Sequence, residues 1–340
     1  MGKESRLFKT LFLMQLLSSF LVFSGHYTAL VLQYDSAFWA TALNQLSRYG
    51  TVLLAMISGF FTAHTFDVKR PTARQFFSGK LLYVVVPFLC AGVVYHYLLY
   101  DEWPHTKAAF VSILLGKTGD QLYFLFMLCQ YYVFAYLFRN MITKQNITVL
   151  IWLFMGLQYV YIHYLHHGWL GLTTRHFFPA WIFTFYLGHL LYWYRHEMMH
   201  FLRTHRGLLL ACTLLSVVSA VLFILSDTIY VAVHLRFVLA AFVSLIVLIM
   251  VLERWADSIP IRFRKGLTLF IYLTHSAVMI CCNLALIKLT GDLSWIFANI
   301  GLTLLYLLVI YAGTVFLSWG LSRIMYTVEG MTRNMRQLSG

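Results

Sequence analysis

Ten stretches of about twenty mostly apolar residues, separated by short polar loops, leave this chain few possible folds. A helix needs roughly 20 such residues to cross the ~30 Å hydrocarbon core of a bilayer. The stretches fall at about 8–33, 46–66, 80–100, 120–138, 147–166, 177–195, 207–226, 232–252, 266–288 and 294–321. Lipid offers the backbone no hydrogen-bond partners, so segments of this length cross it as helices that satisfy their own amides. The expected architecture is all-α: a polytopic integral membrane protein of about ten transmembrane helices, forming one domain over residues 1–340. The first apolar run, from about Phe8 to Leu32, is too long for a signal peptide core of roughly 7–15 residues, and reads as an uncleaved first helix.

Composition excludes the soluble alternatives. Only 11% of residues are charged, against about a quarter in a soluble domain, and mean hydropathy is +0.75. The net charge of +13 would point to nucleic acid in a soluble protein. Here the cations sit in short loops between apolar runs, which is a topology signal, and no nucleic-acid partner is expected. The five cysteines (Cys90, Cys129, Cys212, Cys281, Cys282) all lie in apolar stretches without CxxC or Cys/His spacing, so neither a disulfide framework nor a metal site is expected. There is no Walker loop, GxGxxG, HExxH or GxSxG.

Lysine and arginine set the expected orientation. With a cytoplasmic N-terminus, 19 of the 25 fall on inner segments. These are Lys3, Arg6, Lys9, Lys69, Arg70, Arg74, Lys80, Arg139, Lys144, Arg195, Arg203, Arg206, Arg254, Arg262, Arg264, Lys265, Arg323, Arg333 and Arg336. Arg48, Lys107, Lys117, Arg175, Arg236 and Lys288 fall outside. Both termini are therefore expected in the cytoplasm. The loops DEWPHTK and HHGWLGLTTRHF place His105, His166, His167 and His176 on the outer face.

Polar groups at membrane depth are costly and usually face a bundle interior or a hydrated cavity, so they are the best functional clues available. His26, in the outer part of helix 1, reads either as an interfacial cap or as a general base open to the outer face. Gln15 and Gln130, in mid-helix, read first as interhelical hydrogen-bonding residues. Arg48 either snorkels to the interface or contacts an anion or a sugar. Ser58 and Gly59 form a small-residue step where helices can approach closely. Lys80 obeys the inward bias of cations, or meets the phosphates of a nucleotide-bearing donor. His275 lies near the middle of its helix beside Tyr272 and Thr274, which packing alone explains poorly. His189 is a weaker instance.

Six segments, in order, resemble the membrane acyltransferase 3 family. Helix 1 carries Gln15 and, eleven positions later, His26, where that family has Arg and His. SRYGTVLLAMISGFF, GKLLYVVVPF with Lys80 and Pro87, QLYFLFMLCQYYVFAYLF, WIFTFYLGHLL and LTLFIYLTHSAVM with His275 resemble its further motifs. Within the family, the Tyr49–Thr51 step, GKTGDQLYFLF and AWIFTFYLGHL are most similar to the intercellular-adhesion protein C branch, which serves poly-N-acetylglucosamine biofilms. Three positions depart from the pattern: Gln15 replaces the arginine, Val52 a proline, and Ser276 the proline after the late histidine. If the arginine helps bind the donor, another cation must do so here.

The resemblance implies an O-acyltransferase in the bacterial cytoplasmic membrane. It would move an acetyl or succinyl group from cytoplasmic acyl-coenzyme A, a substrate rather than a tightly held cofactor, to hydroxyls of a cell-surface polysaccharide. His26 and His275 are the expected catalytic residues, with Arg48, Lys80, Tyr123, Gln130, Gln15 and Ser58 holding donor and acceptor. Expected partners are acyl-CoA, the polysaccharide, membrane lipid and a glycosyltransferase complex. Two other readings stay open: an exporter of the polysaccharide without chemistry, and a structural partner of the synthase. The reading requires that His26 line a hydrated passage.

Overall fold

A computed structural model describes residues 3–226, 234–260, 264 and 266–338, with side chains described from Arg6 to Thr327 within those ranges. Arg262 and Lys265, counted among the inner cations, lie outside the described residues, as do the side chains of Lys3, Arg333 and Arg336. The described residues are helical with no strand. In chain order the helices are α1 (Lys3–Val31), α2 (Phe38–Ser47), α3 (Tyr49–His64), α4 (Ala73–Lys80), α5 (Val86–Tyr100), α6 (Lys107–Leu114) and α7 (Leu122–Leu137). They continue with α8 (Ile147–Val160), α9 (Ile182–Thr204), α10 (Arg206–Ile224), α11 (Leu235–Trp255), α12 (Leu267–Thr290), α13 (Ser294–Phe297) and α14 (Ile300–Leu338).

Among the described residues, eight helical segments are long and apolar enough to cross a bilayer. They coincide with eight of the ten expected stretches. The other two stretches are helices of another kind. α7 has 16 residues, about 24 Å, which is short of a bilayer core. α9 is long, but it carries Arg195, His196, Glu197, His200 and Arg203 in its second half, and residues 182–189 are all buried. α7 and the first half of α9 pack mostly inside the bundle, and the charges of α9 fall in its exposed second half. A further difference lies at the last stretch, expected from residue 294. Ser294–Phe297 forms a separate turn, and α14 begins at Ile300, where the Asn299 carboxamide accepts the amides of Gly301 (2.9 Å) and Leu302 (3.1 Å) as an N-cap.

Glycines allow the tightest crossing. A Cβ on Gly59 of α3 would fall on the Phe185 carbonyl of α9, and one on Gly188 of α9 would fall on the Met56 carbonyl of α3. The two backbones therefore touch through glycine from both sides. Gly59 makes this approach, while Ser58 beside it is half-buried and accepts the Thr62 hydroxyl on its carbonyl at 2.8 Å.

Three helices carry a wider π turn: Thr65–Lys69 after α3, Leu81–Val85 before α5 and Tyr161–Leu165 after α8. The second has a covalent cause. Pro87, in the first turn of α5, has no N–H to return to the preceding turn, so the ladder there must rearrange.

Side chains at one end of the bundle tie the expected inner segments together. Arg6 pairs with Asp257 at 2.5 Å, the Lys9 ammonium donates to the Ile259 carbonyl at 2.8 Å, Lys144 pairs with Glu197 at 2.7 Å, and Arg203 pairs with Glu253 at 2.5 Å. These exposed pairs contribute little stability. They do place the N-terminus, the 139–146 turn, the α9–α10 turn and the end of α11 on one face.

Candidate functional site

α1 runs between two cavities. Val22, Gly25, His26 and Ala29 lie at i, i+3, i+4 and i+7, one stripe of the helix, and together they line a cavity of about 400 Å³, named the outer cavity after the expected orientation of α1. The opposite wall repeats that spacing: Asn44, Ser47, Arg48 and Thr51 occupy the α2–α3 junction. Gly25 makes this juxtaposition possible, because a Cβ there would strike the Ser47 hydroxyl. Asn44 joins the two walls. Its amide donates to the Gly25 carbonyl at 2.9 Å and to the Thr28 hydroxyl at 3.1 Å, while its oxygen accepts from the Arg48 guanidinium at 3.3 Å. The turn that carries His26 is thereby tied to Arg48.

His275 stands behind His26, with ring centroids 5.2 Å apart. It is fully buried and does not line the cavity. The Ile271 carbonyl, 3.2 Å from Nδ1, can only accept, so Nδ1 carries the proton, and in the neutral ring Nε2 presents a lone pair. That Nε2 has no hydrogen-bond partner among the described residues, and His26 makes no hydrogen bond there either. α12 is pinned on both sides of His275. The Tyr95 hydroxyl donates to the Leu273 carbonyl (2.8 Å) and accepts from the Ala277 amide (2.9 Å), and the Tyr272 hydroxyl donates to the Gln121 carbonyl (2.7 Å).

A loop supplies the rest of the outer cavity. Arg175 lies over the Tyr123 ring, with its guanidinium carbon 4.5 Å from the centroid. Trp181 donates from its indole to the Arg175 carbonyl at 2.9 Å. Gln130 straps the same loop from α7. Its amide donates to the His176 carbonyl at 2.8 Å and accepts from the Phe178 amide at 3.2 Å. Gln130 lines neither of the two cavities on α1. It shapes the outer one by holding the loop. His176 bonds the Thr173 hydroxyl at 2.8 Å, and burial beside the Arg175 charge pushes it down to about 4, so the ring is neutral. Asp120 completes the charged lining.

The inner cavity, about 670 Å³, lies at the basic end. Gln15, Thr65, Lys69, Gln75, Lys80 and Arg264 give it polar walls, and Phe12, Phe61, Tyr83 and Leu269 give it apolar ones. Three cations and no carboxylate line it, so it favours an anion. The first two π turns border it, through Thr65 and Lys69 and through Tyr83 and Val84. The Lys80 ammonium lies 3.8 Å from the Tyr132 ring centroid, and Arg264 stacks on Trp319 at 4.9 Å. Gln15, at the position where the resemblance has arginine, therefore shares its cavity with three cations.

The expected single passage is two cavities with no lining residue in common. Gln15 and His26 are eleven residues apart, about 16 Å along α1. Between them Ser18 and Ser19 are buried, their hydroxyls returned to the Met14 and Gln15 carbonyls at 2.7 and 2.9 Å. On α12 the separation is smaller. Leu269 lines the inner cavity and Tyr272 the outer, about 4.5 Å apart along the axis.

Of the expected site residues, the structure brings His26, Arg48 and Tyr123 to the outer cavity, with His275 behind, and Gln15 and Lys80 to the inner one. Ser58 lines neither. His189 lines neither. It accepts or donates at 2.8 Å with the Tyr131 hydroxyl and lines a third, smaller cavity of about 290 Å³. Asn44, Asp120 and Arg175 are additions. The signal for Asp120 was a lone carboxylate opening an apolar helix. Arg175 was one of few outer cations, and Asn44 gave no signal.

Set against known families, residues 10–323 match the acyltransferase domain of the acyltransferase-3 family. No curated protein matches the chain, and no solved structure does.

Proposed function

The chain belongs to the acyltransferase-3 family, membrane proteins that transfer acyl groups, and from that premise we propose that it is an O-acyltransferase working across the membrane. The donor is acetyl- or succinyl-coenzyme A from the cytoplasm. The acceptor is a hydroxyl of an extracytoplasmic polysaccharide, poly-N-acetylglucosamine in a biofilm, and the setting is the bacterial cytoplasmic membrane with both termini inside.

One observation carries this reading. A single helix presents Gln15 to a cavity walled by three cations and, eleven residues on, His26 to a separate cavity, with a second imidazole behind His26. Lys69, Lys80 and Arg264 would hold the donor phosphates, the task the missing helix-1 arginine leaves open. The thioester arm reaches toward the outer cavity. There the acceptor oxygen attacks the thioester carbonyl as its proton passes to His26, the C–O bond forms and the C–S bond breaks. The proton then goes to the departing thiolate, which leaves His26 neutral again. The free Nε2 lone pair of His275 suits it to accept the other ring N–H of His26 and fix its tautomer, as the third member of a triad does. Arg48 and Arg175, which line the same cavity, would meet the developing oxyanion or the sugar.

The aromatic lining of the outer cavity, Tyr123, Trp181 and Tyr272, also suits sugar rings without chemistry, which favours export as the second reading. His26→Ala separates the two in cells where acyl groups per sugar and surface polymer are both counted. The enzyme reading expects acylation to fall about 10²–10⁴-fold with polymer still exported. Unchanged acylation with surface polymer lost would defeat it.

A further inference from the structure

A third basic feature lies away from both cavities on α1. The end of α9, the start of α10 and the end of α11 enclose a groove of about 680 Å³ lined by Arg203, Arg206, Leu209, Leu210, Thr213, Met250 and Arg254. Arg203 is held by Glu253. Arg206 and Arg254 are exposed and pair with no described residue. Arg206 is also the first residue of α10, where its charge opposes the positive end of the helix dipole. The α10 N-terminus has no side-chain cap, and the space beside Gly207 is open. An anion seated there would relieve the like-charge contact and meet the orphan amides of the first turn.

The groove does not stay polar. Leu209, Leu210 and Thr213 follow Arg206 along one stripe of α10, and Met250 faces them from α11. Leu210 is 60% exposed, and the α10 span buries none of its most apolar window inside the bundle. The lining therefore passes from guanidinium to hydrocarbon in the direction that lipid tails run. A soluble phosphate matches the upper part only. We infer that this groove binds an anionic phospholipid of the leaflet on the basic face, its phosphate on Arg206 and Arg254 and its chains along α10 and α11.

The test uses the full-length protein in nanodiscs of equal phosphatidylglycerol and phosphatidylcholine, with co-purified lipid counted by native mass spectrometry. Wild type should retain phosphatidylglycerol preferentially. The double variant Arg206→Gln/Arg254→Gln should lose that retention by on the order of tenfold or more, as expected for two interfacial cations. Arg74→Gln, which removes an exposed inner cation elsewhere, should retain it. Leu210→Trp, which fills the groove and spares both arginines, should reduce retention in a protein that folds. Equal retention of phosphatidylcholine, undiminished phosphatidylglycerol in the double variant, or equal thermal stabilisation by glycerol phosphate without tails would each overturn the inference.

Discussion

Gln130 offers a test of how the outer cavity is built that needs no substrate. Its amide makes two hydrogen bonds to the backbone of the loop carrying Arg175, to the His176 carbonyl at 2.8 Å and from the Phe178 amide at 3.2 Å. Gln130→Leu keeps the bulk of the side chain and removes both bonds. Each partner left unpaired in a part-buried setting costs about 1–3 kcal/mol, so the low end for two is roughly 2 kcal/mol. If the loop opens locally, that lowers its opening free energy and raises amide exchange about 30-fold across residues 173–181, at roughly tenfold per 1.4 kcal/mol. Hydrogen–deuterium exchange with mass spectrometry reads this directly. α8 serves as the internal reference and should not change. Gln130→Glu keeps the acceptor for Phe178 but turns an oxygen toward the His176 carbonyl, so it should protect no better than leucine. Exchange in 173–181 within threefold of wild type, or a rise spread evenly over the bundle, would show that the strap does not hold the loop.

Two further outcomes rest on the same geometry. Gly188→Ala should destabilise by about 1–3 kcal/mol because the new methyl meets the Met56 backbone, whereas Gly156→Ala in α8, with open space around it, should be neutral or stabilising by up to ~1 kcal/mol; thermal unfolding in detergent compares them, and equal effects would be incompatible with the close α3–α9 crossing. His176 is held neutral, down to about 4 against an ordinary 6.5, so the released loop takes up the proton more readily than the native one between those values; loop protection should be full above pH 6.5 and decline as pH falls toward 4, and His176→Gln should abolish that dependence in exchange corrected for intrinsic pH effects.

The sequence made most of the helices legible because lipid imposes a length and an apolarity that leave little freedom. It missed where those demands are relaxed. α7 and the first half of α9 are sheltered by their neighbours, so α7 can be short, and the charges of α9 fall in its exposed second half. The end at Ile300 depended on one carboxamide, a cap that apolar periodicity does not register. In the site, His26 and Arg48 stood out because a polar group at that depth is costly. Their link through Asn44 did not, since an asparagine near a helix end is ordinary until its partners are known. Nor could spacing show that His275, far along the chain, stacks behind His26, or that the Trp181 indole and Gln130 pin the backbone around Arg175.

The nearness of Leu269 and Tyr272 to opposite cavities has an electrical consequence. Where water enters both hollows, the transmembrane voltage drops mainly over the protein between them, which is thinner than a full bilayer. An elementary charge carried through the whole drop exchanges about 2.3 kcal/mol with each 100 mV. In an inside-negative membrane a succinyl carboxylate moving outward runs down that gradient, while a neutral acetyl group is indifferent to it. The dependence of turnover on imposed potential in vesicles would therefore report the charge on the transferred group.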